Sequence, residues 1–359
     1  MKKGVLLRET FDWMGQHSGY DMVFNHITDS DHWSFKSIYR PGEQDEMKYF
    51  LNKKLDQYFI DKYKTSLFYN WRGYYAETNA ILSNLKTLAN IFHITYVEDN
   101  FSMTTLPLFC PWTKIIGTVH QPPSWYDENF KNISLLKKFD ALIVLSRAAE
   151  AYFNRIIPDR VFYIPHGIDT LFFKPSSDSE LNLNQKHILF SGHWLRDIKT
   201  LYHVIRYFNE HFPNVHFDLL VPINKRYDPV FEEINLMNNV HWFANLNDEE
   251  LLKLYQRAAI LFMPLLDCTA NNAILEAMAC GKPIVSNKVG GIEEYTDPSF
   301  TYLTDSGDVE KIIEILVTLL KNDHDIMEKG KLAREYAVRN FSWDIIASKT
   351  LEVYNNLIR

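Results

Sequence analysis

The sequence has few cysteines and none of the patterns that usually link them. Cys110, Cys268 and Cys280 form neither a C-x-x-C pair nor an even disulfide framework, and no His/Cys cluster has zinc-site spacing. Long apolar runs are also absent, because residues 5–7 are too few for a signal-peptide core and no later run has membrane-spanning length. These absences predict a protein of the reducing cytoplasm.

An excess of positive charge is absent as well. The formal net charge is −7 and the sequence pI is about 6.0. Proteins that bind nucleic acids use a basic field to neutralise phosphates. We therefore expect no nucleic-acid partner.

Apolar side chains, in contrast, are abundant and occur in short runs. A chain of 359 residues with 46% apolar content is long enough for two domains. Strands are predicted at residues 91–97, 114–119, 141–145, 187–190, 217–221, 240–243, 259–266 and 284–287. Helices are predicted at residues 200–212, 248–258, 272–280 and 343–358. The alternation predicts an α/β protein with a parallel sheet in each half, the second one doubly wound.

The loop DCTANN, residues 267–272, is the first candidate binding element. It follows a very apolar strand and opens a helix, a place where free N–H groups and the positive end of the helix dipole attract anions. Glu276, one turn into that helix, has the reach to accept two hydrogen bonds from a ribose diol. In the alternative interpretation, Asn271 and Asn272 are only N-caps and Glu276 is solvated.

Two other loops follow predicted strands. Residues 192–199 carry Arg196 and Lys199, cations that would stabilise a leaving diphosphate without a metal ion, although a surface ion pair with Asp197 is an alternative. Residues 289–294 contain adjacent glycines, which permit close approach of a ligand or simply form a turn.

The first half contributes a glycine-bearing loop at residues 13–20 and a histidine, His120, at the end of a strand. We expect His120 to project into a cleft between the domains, although such a histidine more often has a structural role. Pro122 and Pro123 fix the loop behind it, which favours function.

Several catalytic motifs are missing. The sequence has no G-x-G-x-x-G, G-x-x-x-x-G-K-[ST], G-x-S-x-G or H-E-x-x-H. The triplets at residues 29–31 (DSD) and 323–325 (DHD) have the carboxylate spacing of metal-dependent sugar transferases, but neither follows a convincing buried strand. No metal site is predicted.

Three segments together carry a family resemblance: IPHGIDTLFFKP, ILEAMACGKPIVSNKVGGIEEYTD and NFSWDIIASKTLEVYNNL. They resemble the retaining glycosyltransferases of family 4, which have the GT-B fold, and the block LEAMACGKPIV is highly specific. The resemblance implies two Rossmann-like doubly wound parallel-sheet domains that face each other across a cleft. Residues 1–168 would bind the acceptor, residues 169–342 would bind a nucleotide-sugar donor, and residues 343–359 would form a helix that packs back on the first domain.

The resemblance also implies roles for individual residues. Glu276 would be the second glutamate of an E-x7-E motif and bind the donor ribose, and Gly290, Gly291 and Glu294 match a GG-x-x-E element. The implied donor-binding residues are Gly15, Gly19, His193, Asp267, Cys268, Asn271, Asn272, Glu276, Gly290, Gly291 and Glu294. The implied catalytic residues are His120, which would contact the donor sugar, and Arg196 with Lys199 as its alternate for the diphosphate.

Two departures from the family pattern affect these assignments. Cys268 stands where the family has a sugar-contacting glutamate, with Asp267 beside it, and His193 follows Gly192 where the family has an arginine. The identity of the sugar therefore stays open.

The implied activity is retaining transfer of a hexose-type sugar from a UDP- or GDP-linked donor to a glycan or lipid-linked acceptor, in the synthesis of bacterial surface polysaccharide or glycoconjugates. No cofactor is expected apart from the nucleotide-sugar itself. Two alternatives stay open: a nucleotide-sugar epimerase, and a non-catalytic protein that binds a sugar nucleotide or glycan.

The acceptor would meet the first domain, where tryptophans in polar-aromatic segments have the shape to stack on a sugar ring, unless they belong to the core. They are Trp33, Trp71, Trp112 and Trp125. Peripheral contact with the inner membrane face would use clustered lysines, for which a solvated surface is the alternative. They are Lys53, Lys54, Lys62, Lys64, Lys131, Lys137 and Lys138.

Overall fold

The computed structural model describes residues 1–9, 11, 14–27, 32–42, 53–106, 112–176 and 186–359. Their contacts divide the chain into two units. The first unit comprises Met1–Met14, Ser18–His166 and Trp343–Arg359, and the second comprises Gly15–His17 and Gly167–Ser342.

Within the described residues, the first unit has a six-stranded parallel sheet in the order β2-β1-β3-β4-β5-β6. The strands are β1 (Lys2–Arg8), β2 (Trp33–Tyr39), β3 (Ile91–Ile94), β4 (Lys114–Val119), β5 (Ala141–Val144) and β6 (Val161–Tyr163). The helices before the second unit are α1 (Val23–Ile27), α2 (Lys53–Tyr63), α3 (Trp71–Thr87), α4 (Val97–Asn100), α5 (Pro123–Asn129) and α6 (Arg147–Asn154). Short 3-10 turns span Met103–Thr105 and Ile133–Lys138.

The predicted strands of the first half are present, and two of them end earlier than predicted: the strand predicted at residues 141–145 ends at Val144. The strand predicted at residues 91–97 stops at Ile94, because Val97 already begins α4. Sequence patterns did not predict β1 and β2, yet β1 lies between β2 and β3 inside the sheet. Its central residues alternate between the two faces: Val5 and Leu7 pack into one core and Leu6 into the other.

The second unit, within the described part of the chain, has another six-stranded parallel sheet, in the order β12-β11-β10-β7-β8-β9. The strands are β7 (Lys186–Ser191), β8 (Val215–Leu220), β9 (Val240–Phe243), β10 (Ile260–Met263), β11 (Ile284–Asn287) and β12 (Thr301–Thr304). The helices are α7 (Ile198–His211), α8 (Pro229–Asn235), α9 (Asp248–Arg257), α10 (Asn272–Ala279), α11 (Ile292–Tyr295), α12 (Val309–Leu320) and α13 (Asp323–Phe341), and a 3-10 turn spans Ile223–Lys225.

Local sequence explains why this unit was predictable. Strands β9 and β11 have the predicted bounds, and α10 ends one residue before the predicted end. Helix α9 begins with a capping box in which the Asn247 side chain accepts from the Glu250 N–H and the Glu250 carboxylate accepts from the Asn247 N–H. Both faces of the sheet are covered by helices and one apolar core, as the doubly wound prediction requires.

The last helix, α14 (Trp343–Leu357), belongs to the first unit, which confirms the prediction that it packs back there. It packs against α1 and joins the core around Leu6. A buried hydrogen-bond chain anchors it: His93 on β3 pairs through Nδ1 with the Tyr354 hydroxyl at 2.5 Å and through Nε2 with the Thr118 hydroxyl at 2.8 Å. Burial lowers the pKa of His93 to about 3, so the ring is neutral at physiological pH.

We expect Tyr354→Phe to lower the free energy of unfolding by about 1–3 kcal/mol, because it leaves a buried His93 nitrogen without its partner. Chemical denaturation monitored by circular dichroism measures the change. Tyr227→Phe is the control, since Tyr227 is 78% exposed. Equal stability of the Tyr354 variant and the wild type would show that this bond does not anchor α14.

Candidate functional site

Three of the predicted loops meet at one edge of the second sheet. Strands β7, β10 and β11 are parallel neighbours, so the loops that follow their carboxyl ends lie side by side. Backbone hydrogen bonds join these loops: the Asp197 N–H donates to Pro264 at 3.0 Å, and the Gly291 N–H donates to the Cys268 carbonyl at 2.8 Å. The structure thus brings residues 192–197, 264–271 and 288–291 together.

Gly290 is required for this meeting. Gly290 has a left-handed backbone with φ of 52°. A Cβ at Gly290 would lie 1.9 Å from the Cys268 carbonyl oxygen and 2.7 Å from an oxygen of Asp267. The alternative that the glycines merely form a turn is therefore incomplete, because only glycine permits this close approach of two loops.

Helix α10 begins at this edge with a neutral cap. The Asn271 side chain accepts from the Ile274 N–H at 3.3 Å, so its predicted alternative role as an N-cap is confirmed, and the half-buried Asn272 is the first helical residue. Helix α7 is instead capped by an anion, Asp197, which accepts from Thr200. Because Asn271 carries no charge, the positive end of the α10 dipole stays available to a bound anion.

Glu276 lies one turn inside α10 and is only 5% exposed. The alternative that it is a solvated helix residue is therefore wrong. Its carboxylate faces the phenol of Tyr255, and burial together with the negative charge of Glu276 holds the pKa of Tyr255 well above its usual range. A buried carboxylate of this kind gains from hydroxyl donors, which a ribose diol supplies.

Cys268 is a buried, neutral thiol. It is 6% exposed, and its Sγ lies 3.6 Å from the Val289 carbonyl oxygen. Burial raises the pKa of Cys268 to about 11. Asp267 beside it is half-buried and accepts the Cys268 N–H at 2.8 Å. Asp267 is therefore the carboxylate at this loop, next to the position where the family has a glutamate.

The guanidinium of Arg196 supports its own loop. It donates to the carbonyls of Ser191 at 3.0 Å and Trp194 at 2.8 Å. Asp197, its predicted alternative partner, is occupied as the cap of α7. Lys199 lies exposed in the first turn of α7.

Sequence reasoning missed a further cation, Lys225. It lies half-buried in the 3-10 turn after β8. The carbonyl of Leu220, the last residue of β8, accepts the Gly192 N–H at 2.8 Å, so this turn starts beside the loop of residues 192–197. Burial first, and then the charges of Lys225 and Arg196, lower the pKa of His193 to about 4. The two cations thus both disfavour protonation of His193. The letters PINKR directly after the predicted strand FDLLV were the signal available in the sequence.

The two N-terminal glycines lie in different surroundings. Gly15 is grouped with the second unit, where a Cβ would lie 1.7 Å from a carboxylate oxygen of Asp248, and the neighbouring Gln16 N–H donates to Asp248 at 2.8 Å. Gly19 is in the first unit, where a Cβ would lie 2.2 Å from the Met14 methyl group. Side chains of the protein thus fill the space beside both glycines.

His120 is 6% exposed in the first unit. Its Nε2–H must donate to the Thr95 carbonyl at 2.9 Å, because a carbonyl oxygen only accepts, and its ring stacks on Tyr96 with centroids 4.8 Å apart. Burial lowers the pKa of His120 to about 3, so it remains neutral. With Tyr20 and His166 it lines a small cavity of about 30 Å³, enough for a water molecule.

Residues 185–322 match the profile of the family described as glycosyl transferases group 1. The matched segment lies within the second unit and is similar to that family. One curated relative is the MMP alpha-(1->4)-mannosyltransferase of Mycolicibacterium hassiacum, 27% identical over 207 residues, which are 56% of this chain and 50% of that protein. Another is the alpha-maltose-1-phosphate synthase of Mycolicibacterium smegmatis, 24% identical over 69% of this chain and 70% of the relative. The chain thus spans about half the length of the first of these relatives.

Solved structures are similar to the chain over both units. Sucrose-phosphate synthase from Thermosynechococcus elongatus superposes with a TM-score of 0.74 at 18% identity and covers 99% of each chain. HepE of Anabaena in complex with UDP-glucose has a TM-score of 0.69 at 14% identity, over 99% of this chain and 100% of the other. At these identities the likeness shows the fold, which is GT-B with two parallel-sheet Rossmann-like units.

Two of the four tryptophan predictions need correction. Trp33 and Trp125 are 4% and 6% exposed and belong to the cores, so neither presents a face to a sugar. Trp71 is half-buried, and Trp112 is 50% exposed. Of the predicted surfaces for sugar stacking, Trp112 is the most open.

Most of the lysines predicted to contact a membrane face lie at least partly exposed. Lys54, Lys62, Lys131 and Lys137 are exposed, Lys64 and Lys138 are half-buried, and the side chain of Lys53 lies outside the described residues.

In the part of the chain that the structure describes, no three His, Cys, Asp or Glu side chains are grouped to hold a metal ion. Residues 29–31 are not among the described residues, and residues 323–325 begin α13. Within the described ranges, no helix has the length and apolarity needed to cross a bilayer.

We expect Gly290→Ala to destabilise the protein more than Gly307→Ala. Both glycines have a positive φ, but nothing lies within 4 Å of a Cβ at Gly307, whereas a Cβ at Gly290 meets the Cys268 carbonyl. The left-handed backbone costs either variant about 1–2 kcal/mol, and the clash should cost Gly290→Ala a further 1–3 kcal/mol or so. Denaturation of both variants measures the difference, and equal losses would contradict the close loop contact.

Proposed function

We propose that the protein is a retaining glycosyltransferase that moves a hexose-type sugar from a UDP- or GDP-linked donor to a glycan or lipid-linked acceptor. The observation that carries the proposal is the meeting of three strand-end loops beside the neutral-capped N-terminus of α10, with Arg196, Lys225 and the buried Glu276 around it. A nucleoside diphosphate matches this arrangement, because it combines an anion with a ribose diol.

Each element would act on a different part of the donor. Glu276 would accept from the ribose hydroxyls, while Gly290 would keep its loop packed against the Cys268 loop and Gly291 and Glu294 would contact the nucleoside. Arg196 and Lys225, with Lys199 as a further cation in the first turn of α7, would stabilise the diphosphate as it leaves. With these cations and the α10 dipole at the diphosphate, the reaction would need no metal ion or other cofactor.

The chemical step would break the bond between the anomeric carbon and the diphosphate oxygen and form one to an acceptor oxygen. The acceptor hydroxyl would give its proton to the departing phosphate oxygen, and the sugar would keep its configuration. His120, neutral and buried, would contribute a hydrogen bond to the sugar rather than a proton. A neutral histidine suits a centre that develops positive charge, because it adds no repulsion.

Relatives support this class of reaction. Two of them are named as a mannosyltransferase and a maltose-1-phosphate synthase, and a third as a GDP-mannose-dependent phosphatidylinositol monomannoside mannosyltransferase, while the HepE structure holds UDP-glucose. By analogy we propose that this chain acts in bacterial surface polysaccharide or glycoconjugate synthesis. Its place would be the cytoplasm, with peripheral contact to the inner membrane face as a further proposal for the exposed lysines.

A second candidate function rests on Cys268. A buried neutral thiol supplies no carboxylate to the sugar hydroxyls, so the chain would bind a sugar nucleotide without transferring the sugar unless Asp267 takes over that role. A transfer assay with Asp267→Asn separates the two functions. Loss of transfer with retained nucleotide binding would assign the sugar contact to Asp267, and binding without any transfer by the wild type would favour the binding protein.

We expect one nucleotide class to stabilise the wild type in a thermal-shift screen of UDP, GDP, ADP and their sugar conjugates, with EDTA present. A ligand at about a hundred times its dissociation constant adds about 2.7 kcal/mol of apparent stability. Glu276→Ala should abolish the shift, because it removes the ribose acceptor. No shift with any nucleotide at millimolar concentration would refute the donor site, and conversion of the donor sugar without acceptor would instead indicate an epimerase.

We expect Lys225→Met to weaken binding of the nucleoside diphosphate about tenfold, or about 1.4 kcal/mol, because it removes one charge from the phosphates. Affinity for the corresponding nucleoside, which lacks phosphates, should not change. Isothermal titration calorimetry measures both. Lys321→Met, at an exposed position after α12, is the control. Wild-type affinity of Lys225→Met for the diphosphate would remove Lys225 from the site.

A further inference from the structure

Glu98 is a buried carboxylate that no sequence motif singled out. It lies in the first unit, in α4 directly after β3, and is fully buried. One of its oxygens, Oε1, accepts the backbone N–H of His120 at 2.7 Å and that of Gln121 at 2.8 Å. The Glu98 carboxylate therefore binds the first two residues of the loop that follows β4.

The segment around Glu98 frames the His120 side chain as well. The Thr95 carbonyl accepts from the ring, the Tyr96 ring stacks on it with planes 10° apart, and the Tyr96 hydroxyl accepts from the Gln121 side chain at 2.8 Å. Three residues of one short segment, Thr95, Tyr96 and Glu98, thus contact both the ring and the backbone side of the His120 loop. A change at Glu98 is transmitted directly to the histidine.

Glu98 changes its charge near neutrality, whereas the groups that touch it do not. Burial raises the pKa of Glu98 to about 7, against the hydrogen bonds from the Gln121 and His120 N–H groups, which lower it. The pKa values of Tyr96 and Tyr126 are raised well above their usual range, and that of His120 is lowered to about 3. Near pH 7, the phenols and the imidazole are therefore neutral on either side of the Glu98 transition.

The side chains of the neighbouring charged groups pair with one another and not with Glu98, although the Glu9 backbone N–H donates to the Thr95 hydroxyl at 3.1 Å. Asp99 follows Glu98 in α4 and pairs with Arg40 at 2.6 Å, and Arg40 also pairs with Glu9 at 3.1 Å. Burial, opposed by the charge of Arg40, raises the pKa of Glu9 to about 7, and burial also raises that of Asp99. Glu9 accepts from Asn100 and Arg40. It therefore provides a matched control for a second buried carboxyl that titrates in the same range.

We propose that Glu98 is a positioning residue for His120: the charged carboxylate holds the histidine loop, and protonation of Glu98 loosens it. Hydrogen bonds from N–H groups to a carboxylate are about twice as strong as those to a neutral acceptor. The loop is therefore tightest above pH 7. The coupling of Glu98 to the loop is independent of the proposed function, whereas its consequence for catalysis rests on the proposed role of His120.

The coupling is tested without any substrate. In amide spectra of the full-length protein recorded from pH 5.5 to 8.5, the His120 and Gln121 signals should shift with a midpoint near 7. Glu98→Gln keeps an oxygen acceptor but does not titrate, so it should abolish the shift, whereas Glu9→Gln should leave it in place. Absence of a midpoint in the wild type, or its persistence in Glu98→Gln, would overturn the proposal.

The consequence is tested by the pH profile of sugar transfer. Wild-type kcat/KM should rise several-fold through pH 7, Glu9→Gln should follow the same profile, and Glu98→Gln should be flat across this range. A rise that is unchanged in Glu98→Gln would overturn the positioning role. If the amide midpoint is present but no nucleotide-sugar is ever turned over, the proposed function fails and the coupling of Glu98 to His120 stands.

Discussion

Parallel pairing of β7, β10 and β11 is the constraint on which the candidate site depends. Because the three strands are neighbours that run in one direction, three loops leave the sheet at the same edge. The loops then bond to each other through backbone groups, and the closest contact passes through Gly290, where a side chain would collide with the Cys268 carbonyl. Removing the parallel register would disperse the donor-binding residues proposed in these three loops.

The electrostatics of the edge follow from that geometry. A neutral Asn271 caps α10, while Lys225 and Arg196 lie close enough to His193 to depress its pKa. Positive potential therefore accumulates where the sheet leaves helix N–H groups unpaired. Glu276 is the buried carboxylate of α10, one turn inside the helix that begins at this edge.

The first unit uses buried carboxylates for a different purpose. Glu77 on α3 accepts the N–H groups of Ser102, Met103 and Thr104, and Glu98 accepts those of His120 and Gln121. Each carboxylate fixes a loop by its backbone rather than by its side chains. Buried N–H groups must find acceptors, so this arrangement both satisfies them and determines where the loops run.

Local patterns in the sequence determined much of this protein. Strands β9 and β11, helix α10 with its Asn271 cap, and the apolar spacing of α14 are encoded by residues adjacent in the chain, and the block LEAMACGKPIV indicated the family. Strand β1 escaped prediction because its apolar run is short and flanked by charges, although the tertiary structure buries it between two strands. Only tertiary structure decided that Trp33 and Trp125 are core residues, that Lys225 acts on His193, and that Glu98 holds His120. The two residues of each of the last two pairs follow strands that are neighbours in the sheet but separate in the chain. Sequence periodicity carries no information about which strands become neighbours.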